Sequence, residues 1–302
     1  MLSRKLLLNL PRQFSLRFLS SEASENLSNF QTLKVIPEDH VYEVQLNAPE
    51  KLNALTFQTW QELTECFNKL NNIPKCRSIV LSANGKSFCA GIDLKNAFAK
   101  ILQFTADDSL DIARKTMKIS ENLRVAQDGF TAIESCRKPV IVVIHGHCLG
   151  AGTSLITAAD IRYCTADAQL SIKEVDVGLA ADVGVLQRIQ KVTGNDSLSR
   201  ELVFTARVFN GSQAKEYGLV SRVFEKKDEM VLAAKELAKE IASKSPVAVQ
   251  GSKIAMNYAR NHSIQDSLEM MGYWNQAMLQ TEDTVKSAMA MQSKKTPEYN
   301  DF

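Results

Sequence analysis

Residues 139–166 read PVIVVIHGHCLGAGTSLITAADIRYCTA. The first eight form an apolar run, rich in β-branched side chains and closed by a glycine, which is the pattern of a buried strand. GAGTSLITAAD (150–160) then reads as a helix entered through a glycine-containing turn, and IRYCTA (161–166) as a short strand. A buried strand, a turn of small residues, a helix and a second strand in so short a span point to an α/β core.

The same order extends in both directions. VYEVQLN (41–47) alternates as a strand, a helix is expected from Phe57 to Asn71, and RSIVLSA (77–83) is a second buried strand. Residues 95–135 are polar, mixed in charge and compatible with helix. AQLSI (168–172) reads as a short strand, and Val183–Val192 as a helix ended by Gly194. Helices follow at about 196–204, 212–216, 229–243, 246–260 and 264–291, with apolar residues 231, 234, 237, 238 and 241 on one face. Strand–strand–helix units therefore give way to a helical C-terminal region, with no strong repeat and no linker between them.

Charge narrows the function classes. The formal net charge of +2 argues against a broad basic surface for nucleic acid. The first twenty residues hold Arg4, Lys5, Arg12 and Arg17 and no acid among interleaved Leu and Phe, so they carry +4 and the rest of the chain sums to about −2. This is the composition of a mitochondrial transit peptide, expected over 1–22. No later segment approaches the roughly 20 uninterrupted apolar residues of a membrane span. The six cysteines are scattered without a C-x-x-C pair and read as reduced, mostly buried thiols. His145 and His147 have no third ligand nearby in the sequence, so no metal is expected.

Two segments pair a strand with a small-residue turn and a helix start: SFCAGIDL (87–94) and HGHCLGAGTSL (145–155). Such turns simply pack strand to helix, or they present free backbone N–H groups to a developing negative charge. In the second case two N–H groups on one carbonyl oxygen would form an oxyanion hole, worth roughly 2.7–4 kcal/mol per donor. Neither turn carries a phosphate-loop or dinucleotide fingerprint.

KEVDVGLAAD (173–182) adds acids in an apolar setting. Glu174 and Asp182 read either as an acid/base pair or, more simply, as a surface partner of Lys173 or Lys191 and an N-cap for the helix at 183–192. Asp176 reads as a surface group or a member of a structural pair, and Asp93 as a helix cap.

Together PEKLNALT (49–56), SFCAGIDL, HGHCLGAGTSL and the run from Ala158 to Gly194 resemble the enoyl-CoA hydratase/isomerase (crotonase) superfamily, over about residues 35–290. Within it, IKEVDVGLAADVGVLQR (172–188) is most similar to the dienoyl-CoA isomerases. The resemblance implies a right-handed spiral of strand–strand–helix turns over 33–228, with 229–302 as a C-terminal helical region supporting trimers or hexamers. It implies an acyl-CoA substrate and no metal or redox cofactor. It puts the oxyanion donors at the N–H groups of Ile92 and Ala151, although the family usually has glycine where Ala151 stands. Substrate contacts are implied at Ala90, Gly91, Ile92, Asp93, Leu94, Lys95 and Ala151, and in PEKLNALT.

Hydratases of the family use two glutamates, at the positions of Ser154 and Glu174, and have a small residue at that of Asp182. Dienoyl isomerases have aspartate at the positions of Ser154 and Asp182. The resemblance therefore implies a 3,5- to 2,4-dienoyl shift, with Glu174 serving the carbon next to the thioester and Asp182 serving carbon six. Ser154 departs from both patterns. The alternatives are an enoyl-CoA hydratase, a 3,2-enoyl-CoA isomerase, or a non-catalytic acyl-CoA- or RNA-binding relative.

Overall fold

The computed structural model describes Leu27 and residues 29–302; the leader expected over 1–22 lies outside them. Strands β1 (Leu33–Glu38), β2 (Val41–Leu46), β3 (Ser78–Ala83), β4 (Val140–Ile144), β6 (Ile161–Thr165) and β9 (Arg222–Phe224) form one sheet in the order β1-β2-β3-β4-β6-β9. β1 pairs antiparallel with β2, and the remaining pairs are parallel. A second sheet holds β5 (His147–Leu149), β7 (Gln169–Ser171) and β8 (Phe209–Asn210). The chain passes from β4 to β5 and from β6 to β7, so successive units lay one strand in each sheet.

Helices α1 (Phe57–Asn71), α2 (Leu94–Thr105), α3 (Ile112–Ser135) and α4 (Ala151–Ala158) connect these units. After β7 come α5 (Val185–Thr193), α6 (Asp196–Thr205) and α7 (Gly211–Glu216), then α8 (Lys227–Ala242), α9 (Pro246–Ala259), α10 (Ile264–Met278) and α11 (Glu282–Ser293).

Continuous apolar runs in β3 and β4 follow from burial on both faces. Ile79, Leu81, Val140, Val142 and Ile144 join the large core with Leu63, Phe67 and Phe130 of α1 and α3. The alternate residues Val80, Ile141 and Val143 turn to the other face, where Met230, Ala234, Ala238 and Ala242 of α8 cover them. All six cysteines are free and buried. The helix expected over 264–291 is two helices. The second starts at Glu282 and is capped by Thr281, whose hydroxyl accepts from the Asp283 N–H.

The last residues return to the sheet. Arg77, at the start of β3, donates from Nη2 to the Tyr299 carbonyl at 2.7 Å and pairs with Asp301 at 2.7 Å. Fully buried Lys138 donates to the Phe302 carbonyl oxygen at 2.9 Å.

Candidate active site

The two glycine turns lie against each other. Cys89 N–H donates to His147 O at 2.9 Å, and Leu149 N–H donates to Cys89 O at 3.0 Å, a parallel bridge between the segments. Gly91 follows with φ +99°, and a side chain there would put its Cβ 3.0 Å from the Leu149 carbonyl oxygen. Only glycine meets both demands. A second bridge joins Leu55 to Ile92 through Leu55 N–H to Gly91 O at 2.7 Å and Asp93 N–H to Leu55 O at 2.9 Å. That pairing turns the Ile92 N–H to the opposite side, and it donates to no backbone carbonyl among the described residues.

Ala151 is the first residue of α4, behind Gly150. Its N–H is one of the donors that a helix start leaves without an intrahelical partner. Alanine is tolerated here because the left-handed φ falls on Gly150, at +51°, and not on Ala151. The turns therefore place two free N–H groups, of Ile92 and Ala151, on paired segments.

Glu174 opens a single 3-10 turn, Glu174–Val177, closed by Gly178. Val175 and Val177 are exposed, whereas both Glu174 carboxylate oxygens are buried without a hydrogen-bond partner. A Cβ on Gly150 would sit 3.7 Å from Glu174 Oε1, so the acid lies beside the start of α4. The surface-partner reading fails, because Lys173 pairs with Asp176 at 2.7 Å and Lys191 with the Arg260 carbonyl at 2.9 Å. Leaving a buried carboxylate unpaired is costly, which marks a site kept for chemistry. Burial raises the Glu174 pKa and the charge of Asp182 raises it further, while the nearby Glu174 and Lys173 N–H groups offset part of the rise.

Asp182 does not cap the following helix. α5 begins two residues later than expected, at Val185, with Gly184 as N-cap and no side-chain cap. The Asp182 side chain is thereby free for another role. It borders a cavity of about 570 Å³ lined also by Gln127, Glu134, Arg188 and Arg260. Asp182 is solvent-exposed by residue, yet the atoms packed around its carboxyl raise its pKa through partial desolvation.

The other residues singled out from the sequence divide in two. Ala90 N–H donates to Leu52 O at 3.0 Å, tying the turn to the PEKLNALT loop. Asp93 is the N-cap of α2, accepting from the Asn96 N–H at 3.2 Å. Leu94 is 40% exposed, and Lys95 is exposed beside it. Ser154 is wholly buried on α4, one turn beyond Gly150, and its hydroxyl has no partner among the described residues.

Several supports escaped the sequence reading. Asn53, with φ +54°, accepts from Ala48 N–H and donates to Asn84 O and Ser87 O, which fixes the loop under Ala90. Asn is one of the few residues that enters this conformation readily, and this was its available signal. Gln127, Glu134, Arg188 and Gly184 gather around the Asp182 turn, and their partners lie far apart in the chain. No three His, Cys, Asp or Glu residues converge as a metal site among the described residues.

A fold of strand–strand–helix units, paired turns with two free N–H groups and a buried unpaired glutamate define the class: the chain belongs to the enoyl-CoA hydratase/isomerase family, whose model matches residues 37–301. Within that family it is 50% identical over 291 residues to the mitochondrial Delta(3,5)-Delta(2,4)-dienoyl-CoA isomerase of Rattus norvegicus, covering 93% of this chain and 88% of that protein. It is 39% identical over 276 residues to the peroxisomal Delta(3,5)-Delta(2,4)-dienoyl-CoA isomerase of Arabidopsis thaliana, covering 90% and 98%. The crystal structure of an enoyl-CoA hydratase from Bacillus anthracis matches with a TM-score of 0.80 at 27% identity, over 89% of this chain and 99% of that one.

Proposed function

We propose that this chain converts 3,5-dienoyl-CoA to 2,4-dienoyl-CoA in the β-oxidation of unsaturated fatty acids. The observation that carries the reading is the buried, unpaired Glu174 beside the start of α4, with Asp182 close enough to shift its pKa. Similarity to named dienoyl-CoA isomerases supports it.

In this reading the thioester carbonyl accepts from the Ile92 and Ala151 N–H groups. That polarisation acidifies carbon two, and Glu174 removes a proton from it. The electron pair spreads over the thioester oxygen and the conjugated chain, and the two N–H groups stabilise the oxyanion. Protonation at carbon six by Asp182 moves the double bonds from 3,5 to 2,4. One proton leaves and one is added, with no net electron transfer, so the reaction itself calls for neither metal nor redox cofactor. Substrate contacts along Ala90–Lys95 would hold the CoA side of the thioester.

The basic, acid-free first twenty residues support delivery to the mitochondrial matrix. Ile264, Leu268, Met289 and Met291 on the C-terminal helices are exposed apolar side chains, which supports burial of 229–302 between copies in a trimer or hexamer.

The test is a paired assay with a 3,5-dienoyl-CoA and with crotonyl-CoA. Growth of the conjugated 2,4-diene chromophore with slow crotonyl-CoA hydration is expected. Fast hydration without diene formation would overturn the reading in favour of a hydratase.

A further inference from the structure

The turn carrying Asp182 is held from outside. On one side, Gln127 Nε2 of α3 donates to the Asp182 carbonyl at 2.8 Å. On the other, Arg188 Nη1 reaches the Gly184 carbonyl at 3.4 Å. Gly184 has φ +123°, and a Cβ there would lie 2.0 Å from Arg188 Nη1. The guanidinium thus lies directly over the glycine, a place no side chain could share.

Arg188 is itself fixed. Its Nε and Nη2 donate to Glu134 Oε2 at 3.0 and 2.7 Å. Arg260 Nη1, at the C-terminal end of α9, donates to Glu134 Oε1 at 2.5 Å, and Asn257 Nδ2 of α9 donates to the Glu134 carbonyl at 2.9 Å. The Arg188 and Glu134 side chains are 12% and 24% exposed. Burial alone would raise the Glu134 pKa, but the hydrogen bonds and charges of the two arginines outweigh it and hold the pKa below the ordinary range. The pair therefore stays ionised at neutral pH.

We infer that Arg188, locked by Glu134, is a positioning residue that sets the place of the Asp182 carboxyl. The inference rests on the isomerase reading above. α5 has no side-chain cap, so Arg188 is what ties its first turn to α3 and α9. Arg188 serves Asp182 and not Glu174, whose turn is built separately by the Leu179 N–H to Glu174 O bond at 3.0 Å. The two proton transfers thereby have separate supports. Through Arg260 and Asn257, α9 of the C-terminal region helps to set the second of them.

The experiment follows both transfers at once, in deuterium oxide with a 3,5-dienoyl-CoA. Exchange at carbon two reads Glu174, and diene formation with label at carbon six reads Asp182. In Arg188→Ala, turnover to the 2,4-diene should fall about 100-fold, because small displacements of a reacting group cost that much. KM should stay within about twofold, since no substrate contact is removed, and exchange at carbon two should persist. Arg188→Lys should recover only part of the loss, because lysine cannot hold Glu134 with a two-pronged contact. Glu134→Gln, which keeps the side-chain shape, should show the same split and serves if Arg188→Ala does not fold. Equal loss of exchange and turnover in a folded variant, or no loss of either, would overturn the inference. A wild-type protein that forms no diene would instead overturn the isomerase reading, and the inference with it.

Discussion

The charge of Asp182 is felt at Glu174, where burial first and that charge second lift the carboxyl above the ordinary carboxylate range. Asp182 is lifted as well, by partial desolvation. Both acids are thus shifted toward the neutral form. Such a pair can pass through a state with one proton between them, which a two-site proton shift requires.

The pH–rate profile should therefore be bell-shaped. Turnover needs Glu174 ionised and Asp182 protonated, a state with one proton on the two acids, so activity rises as the first carboxyl loses its proton and falls as the second does. In Asp182→Asn the charge that lifts Glu174 is gone. The acid limb of carbon-two exchange should then move to lower pH. A limb that stays in place would show that the two acids do not interact.

Stability should carry the same signature. A folded-state pKa above the unfolded value means that the native protein holds its proton longer. Stability contributed by Glu174 is then present below the unfolded pKa and is lost as pH rises through the folded one. Glu174→Gln removes this dependence. Its Tm relative to wild type should climb as pH rises above the ordinary glutamate range. A constant Tm difference over that rise contradicts the raised pKa.

Ser154 offers a direct probe of the pocket. Its buried, unpartnered hydroxyl lies one turn along α4 from Gly150, which Glu174 approaches. Ser154→Asp adds an acid in that space, and like charge and desolvation both push carboxyl pKa values up. The acid limb of the rate profile should shift to higher pH, and a calorimetric Tm at neutral pH should fall. An unmoved limb would place Ser154 outside the reach of Glu174.

The C-terminal residues should matter for stability. Removing residues 299–302 takes the Phe302 carbonyl from buried Lys138 and the Tyr299 and Asp301 contacts from Arg77. Stranding a buried cation costs about 3–5 kcal/mol. Denaturant unfolding of the truncated chain should show a loss of that order, and a loss below about 1 kcal/mol would mean the cations find water instead.

Much of this was legible in the sequence. β3 and β4 announce themselves because burial on both faces leaves an unbroken apolar run, and α1 falls at Phe57–Asn71 as expected. β1 was invisible: LKVIPE contains Pro37 and is a strand only because β2 pairs with it. β5 is three residues long and was absorbed into its glycine turn. The break between α10 and α11 had a signal in Thr281 followed by Glu282 and Asp283, a capping residue with acids in the first turn. Glu174 and Asp182 stood out by type and spacing, but the reading of Asp182 as a cap gave way to Gly184. Arg188 and Glu134 could not be paired from the chain, because 54 residues separate them and only the folded chain brings their side chains together.

The division of labour between Glu174 and Asp182 is tested most directly by locating deuterium in the 2,4-dienoyl product and recovered substrate by mass spectrometry. Wild-type protein in deuterium oxide should label carbon six of the product. Asp182→Asn should still exchange carbon two of the substrate while product and carbon-six label collapse by about 100-fold or more. Glu174→Gln should lose both. Carbon-two exchange surviving in Glu174→Gln, or carbon-six label forming at the wild-type rate in Asp182→Asn, would contradict the account.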